Sequence, residues 1–121
     1  MVATGNCAES YRANGVIDLL KKQGIRSMKI SSNIVSGIPI NLNAGDRTIS
    51  LVFVVEPPPS DKYSLTVSLL TNPKSTNGFS TTELTNTFES SLVGGGNGPF
   101  EFEMESNDIS IIGSVALSLK R

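Results

Sequence analysis

The sequence predicts a mainly β protein. We expect an antiparallel β-sandwich, jelly-roll-like or immunoglobulin-like, or a barrel, of about seven to eight strands with a short N-terminal helical segment. Three observations carry this. From residue 25 onward, apolar residues recur at every second position, the period of a strand with one buried face. Turn clusters punctuate that pattern at strand-length intervals: "NAGD" (43–46), "PPPSD" (57–61), "TNPKSTNG" (71–78), "GGGNGP" (94–99) and "SND" (106–108). Charged residues make up 17% of the chain, below the ~25% of an average globular protein. Ser, Thr, Asn and Gly fill the difference, as hydroxyl-rich strand faces and turns require.

The first segment reads differently. "AESYRANGVIDLLKKQG" (8–24) places Ala13, Val16, Ile17 and Leu20 on one helical stripe and leaves Lys21, Lys22 and Gln23 wet. Gly24 suits the residue just past a helix end, and the two lysines suit the negative end of the helix dipole. Asn14-Gly15 interrupts the stripe, so Asn14 could instead cap a shorter helix over 15–23. We expect one or two short helices within residues 8–23. The chain then divides into an N-terminal helical segment or arm, 1–24, and a β-sandwich, 25–121, within a single domain.

The strands follow in order. Met28, Ile30, Ile34, Ile38, Ile40 and Leu42 share even parity, with Lys29, Ser31, Asn33, Asn41 and Asn43 between them; Gly37 and Pro39 predict a bend or an edge position. "RTISLVFVVE" (47–56) is almost continuously apolar and β-branched, which predicts a central strand buried on both faces. The prolines after it cannot continue a ladder. "KYSLTVSLL" (62–70) turns Tyr63, Leu65, Val67 and Leu69 inward and Ser64, Thr66 and Ser68 outward. "FSTTELTNTFESSLV" (79–93) is hydroxyl-rich, with sparse apolar residues at Phe79, Leu84, Phe88 and Leu92. It reads as two short edge strands joined near Asn86. A helix is the alternative, because Ser80 to Glu83 fits a capping box. "FEFEME" (100–105) and "ISIIGSVALSL" (109–119) complete the set, with Ile109, Ile111, Val115, Leu117 and Leu119 inward.

Composition excludes several chemistries. The chain has no histidine, so Ser-His-Asp and Cys-His catalysis are out. One cysteine, Cys7, can neither close an intramolecular disulfide nor complete a zinc site. The formal net charge of -1 argues against nucleic-acid binding by phosphate neutralisation. Lys21, Lys22, Arg26 and Lys29 form a local basic group, read as a solvated face. No apolar run is long enough for a membrane span, and the first residues lack a signal-peptide pattern. No Asn-x-Ser/Thr sequon occurs. The expected location is cytoplasmic, or within a virion or other particle.

The candidate sites are few. Glu101, Glu103 and Glu105 alternate with Phe100, Phe102 and Met104. On a strand such carboxylates lie about 7 Å apart, a ladder rather than the tight oxygen cluster a calcium ion needs. With Asp108 in the next turn they are weak metal candidates; the bland reading, a wet strand face with cross-strand Lys or Arg partners, is preferred. "GGGNGP" lacks the Lys-Ser/Thr ending and the helix of a phosphate loop, so it reads as a strand connection. Cys7 has no base to activate it. Tyr11, Val16, Ile17 and Leu20 are interface candidates on the N-terminal arm. Lys74, Asn77 and Asn97 are recognition candidates on the two long loops. No cofactor is expected.

These readings lead to a non-enzymatic structural or assembly subunit that self-associates into a homo-oligomer or particle. The alternative is a monomeric loop-based binding module, lectin-like or peptide-binding, although scarce aromatics weigh against sugar recognition. An enzyme built on Glu101, Glu103 or Asp108 ranks third.

Overall fold

In the computed structural model, residues 10–22, 24–57, 59–73, 78–92 and 99–120 are described. Their alternating pattern becomes eight strands: β1 (Ser10–Lys21), β2 (Gly24–Ile34), β3 (Ile40–Ala44), β4 (Arg47–Val55), β5 (Lys62–Thr71), β6 (Thr81–Ser91), β7 (Phe100–Ser106) and β8 (Ile109–Lys120). Sheet A has the order β2-β1-β8-β7 and sheet B the order β3-β4-β5-β6. Every pairing is antiparallel. Sheet B is a plain meander. Sheet A is two hairpins, β1-β2 and β7-β8, joined where β8 lies beside β1. Neighbouring strands are therefore consecutive in the chain everywhere except at the β1-β8 pair. The crossing connections of a jelly roll or immunoglobulin domain do not occur. The all-β antiparallel sandwich is what forms, in up-and-down order.

The core lies between the sheets. Sheet A contributes Ile17, Leu19, Ile30, Phe102 and Ile111, among others, and sheet B contributes Ile49, Leu51, Phe53, Leu65 and Val67. No polar or charged residue is buried among the described residues. Burying each such side chain stabilises the fold by about 1.5–3 kcal/mol. At one margin Phe88 of β6 bridges the sheets, with its ring 5.8 Å from Phe100 and 5.1 Å from Phe102.

The expected N-terminal helix is overturned within the described residues; residues 8, 9 and 23 lie outside them. Ser10–Lys21 is a strand near the centre of sheet A, paired along its length with β2 and with β8. Its inward residues are Tyr11, Ala13, Gly15, Ile17 and Leu19, a period of two that two small residues disguise. Val16 and Leu20, read as part of a helical stripe, point to the other side. Two ladders of backbone hydrogen bonds outweigh the weak local preference for helix. Gly15 fits only because it lacks a Cβ, which would collide with the carbonyl oxygen of Ser114 and lie 2.8 Å from Val115 Cα on β8.

Two further expectations are corrected. β4 is central in its sheet, but only Ile49, Leu51 and Phe53 are buried; Val52 is half-buried and Val54 exposed. The β-branched run satisfied strand preference without a second layer to cover it. Residues 81–91 form one edge strand through Asn86, not two strands or a helix. It is kinked rather than broken, by a bulge at Glu83 between the pairs Leu69–Leu84 and Leu70–Thr82.

Candidate functional site

One end of the sandwich is formed by the β1-β2, β3-β4 and β7-β8 turns and the start of β6. It opens into a cleft of about 650 Å³. Leu19 and Leu69, both buried, lie at its base, and Ile25 and Ile109 stand at its rim. Four cationic side chains line it, Lys21, Lys22, Arg26 and Arg47, against three carboxylates, Asp46, Glu83 and Asp108.

The charges are ordered around Arg47. This residue shares the inward parity of Ile49, Leu51 and Phe53, but it sits at the strand's first position, where the core ends. Its Nη1 donates to Asp46 Oδ2 at 2.8 Å, and its Nε is ion-paired with Glu83 Oε2. The bulge in β6 turns Glu83 toward it, the use to which such kinks are often put. Lys21 Nζ donates to the other Asp46 oxygen at 2.9 Å. The hydrogen bond from Lys21, aided by the nearby charge of Arg47, holds the Asp46 carboxyl below its ordinary pKa. Asn72 fixes the β3-β4 turn to the end of β5: its Nδ2 donates to Gly45 O at 2.8 Å and its Oδ1 accepts from Thr48 Oγ1 at 2.6 Å. At the opposite rim Lys22 Nζ stands 3.6 Å from Asp108 Oδ2. Arg26 is exposed and has no ion-pair partner among the described residues. Every carboxylate of the cleft is engaged by a cation, and one guanidinium remains over. Such a site suits a small anionic group, held by charge-assisted hydrogen bonds.

The structure separates the residues singled out from sequence. Glu101, Glu103 and Glu105 are exposed on the outer face of β7, an edge strand. They stand opposite Ser114, Ile112 and Ser110, so the cross-strand cations expected there do not face them. Asp108 turns to Lys22 rather than to Glu105. No group of three or more His, Cys, Asp or Glu side chains could hold a metal ion among the described residues. Lys21, Lys22 and Arg26 meet at the cleft, whereas Lys29 lies on the outer face of sheet A opposite Val16. Tyr11 and Ile17 are buried within the chain's own core, while Val16 is exposed and Leu20 half-buried.

Lys74, Asn77, Asn97 and Cys7 lie outside the described residues. The loops bearing the first three leave from opposite ends of the sandwich, one after β5 and one after β6. Arg47, Asp46 and Glu83 were not singled out from sequence. An arginine on the core parity of an apolar strand was the available signal. Comparison with known families, curated proteins and solved structures finds no match.

Proposed function

We propose that this chain is a non-enzymatic structural subunit that self-associates through sheet A. The observation that carries the reading is a cluster of exposed apolar side chains on that sheet's outer face. Val16, Ile25 and Ile112 are 46%, 68% and 40% exposed. Half-buried Leu20 joins them: it pairs directly with Ile25, and Ile112 lies diagonally between Leu20 and Val16. Side chains in those relations touch or nearly touch. Sheet B is dressed differently over β5 and β6, where Thr66 meets Thr87 at 3.0 Å and Ser68 meets Thr85 at 2.9 Å. Four strands of such length give a face of roughly 19 by 36 Å, near 700 Å², close to the ~800 Å² each partner buries in a stable interface. A shell or particle component, cytoplasmic or virion-borne, would present a surface of this kind.

Light scattering behind size exclusion, over a concentration series, tests the reading. We expect a mass above that of one chain, reduced by Val16→Lys with Ile112→Lys. A monomer at every concentration would overturn it. A second reading, a monomeric binding module, is favoured by the surplus cation of the cleft. Chemical shifts of the cleft residues that move on adding inorganic phosphate or acetate, and stay still in Arg26→Gln, would support it.

A further inference from the structure

The geometry points to a second, head-to-tail contact between copies, in which β7 of one subunit pairs antiparallel with β2 of the next and sheet A runs on from chain to chain. The inference rests on the reading of the chain as an assembling subunit and names one of its contacts.

A sandwich of two open sheets has four edge strands, each presenting unpaired N–H and C=O groups. Here they are β2 and β7 in sheet A, and β3 and β6 in sheet B. β3 is only five residues long. β6 is long but carries the bulge at Glu83, and bulges twist an edge away from a flat partner. β2 and β7 remain, of eleven and seven residues, both paired without a register shift to their inner neighbours.

These two regular edges carry opposite charge. β7 shows Glu101, Glu103 and Glu105 on its outer face and β2 shows Lys29 on that same face, while Arg26, opposite inward Leu19, adds its charge from the inner parity at the cleft end of the strand. None of the five has an ion-pair partner among the described residues. Like charges keep β7 from a second β7, since facing carboxylates repel, while a basic edge is admitted. The strand directions agree. Three antiparallel steps separate β2 from β7, so the two run oppositely, and a copy added in the same orientation pairs antiparallel. Glu101, Ser114, Val16 and Lys29 also lie in one row across the sheet. A copy that continues this row brings its Glu101 to Lys29. The contact uses two different edges, so it repeats from subunit to subunit and closes as a ring or runs on as a fibre.

Charge exchange tests the pairing. One variant carries Glu101→Lys, Glu103→Lys and Glu105→Lys; the other carries Arg26→Glu and Lys29→Glu. Each alone has two like-charged edges, and each should lose mass relative to the parent by light scattering at low salt. Mixed in equal amounts, they should regain it, because each variant's β7 then matches the other's β2. Loss without recovery on mixing, or no loss in either variant, overturns the edge contact. A parent chain that is monomeric at all concentrations overturns the assembly reading as well, so the two failures are told apart. Amide exchange on the unaltered protein needs no variant: assembly should protect the outward amides of β2 and β7, and equal exchange in dilute and concentrated samples would refute the pairing.

Discussion

Gly113→Ala sets two effects of known sign against each other. Gly113 is buried on β8, between Phe102 of β7 and Ile17 of β1. A Cβ there would collide with Phe102 Cζ and lie 2.5 Å from Cε1 and 3.0 Å from Cε2. Carbon atoms settle at about 3.5–4.0 Å, so the ring must retreat by about 1 Å. It has little room: Phe102 is 5% exposed, and its ring centre is 5.1 Å from that of Phe88 and 6.0 Å from that of Phe100. Overpacking of this kind costs about 1–3 kcal/mol. Alanine in a strand regains about 0.5–1 kcal/mol over glycine. The clash wins over nearly all of that range, leaving a net loss of up to about 2.5 kcal/mol and roughly 1 kcal/mol at mid-range. For a chain of this length that lowers Tm by about 4 °C at mid-range and by up to about 10 °C. Thermal unfolding followed by circular dichroism measures it. In the double variant with Phe102→Leu the two changes should couple favourably, by about 0.5–3 kcal/mol, as neighbours sharing one space do. A Tm at or above the parent's, with additive effects in the double variant, would refute the reasoning.

Gly15→Ala should cost more, about 3 kcal/mol or above, because the obstacle is the β8 backbone, which cannot rotate away as a ring can; urea unfolding that ranks it milder than Gly113→Ala would contradict this. Val67→Asp places an unpaired carboxylate at a fully buried site and should abolish cooperative unfolding; a melt like the parent's is the opposing result. Glu103→Gln should change the stability of the dilute monomer by less than about 0.5 kcal/mol, and a larger loss in denaturant titration would mean a buried network or a bound cation. Burial pushes the Tyr63 hydroxyl above its ordinary pKa of 10.0, against a smaller pull from its hydrogen bond with Ser90. On raising the pH the unfolded chain therefore releases this proton first, so stability falls from the ordinary value upward through the folded one. Tyr63→Phe should flatten that part of the alkaline unfolding curve, and an unchanged slope would argue against it.

What could be read from sequence depended on whether one face of a strand was apolar and the other was not. β5 satisfies this fully, with four large inward residues and hydroxyls between them, and its residues face as expected. β1 breaks it twice. Ala13 and Gly15 are small where the core needs little volume, and Val16 and Leu20 are apolar where the strand faces out. Both parities then look mixed, and the spacing mimics a helix. In β6 the bulge at Glu83 and the few apolar residues hid one continuous strand. The glutamate row was legible as a strand face. Its missing cations were not, because what lies opposite depends on strand order. The cleft was beyond reach for the same reason: it gathers side chains from separate turns, and no short stretch of chain holds more than a part of it.

The pairing of β1 with β8 ties folding to chain synthesis. Ser10 is matched with Lys120, and Ser118 Oγ donates to Arg12 O at 3.5 Å across a sequence separation of 106 residues. Sheet B can zip from one hairpin to the next as it emerges. Sheet A cannot: β1 and β2 must wait, with one side of β1 open, until the last strand arrives. Closing so long a loop costs only slightly more entropy than closing a short one, since each doubling adds about 0.6 kcal/mol. Its effect falls on rate, because contacts between distant parts of a chain place all-β folds in the millisecond-to-second range. Throughout that wait the open side of β1 offers its unpaired backbone, with Ile17 and Leu19 beside it, to any other nascent chain.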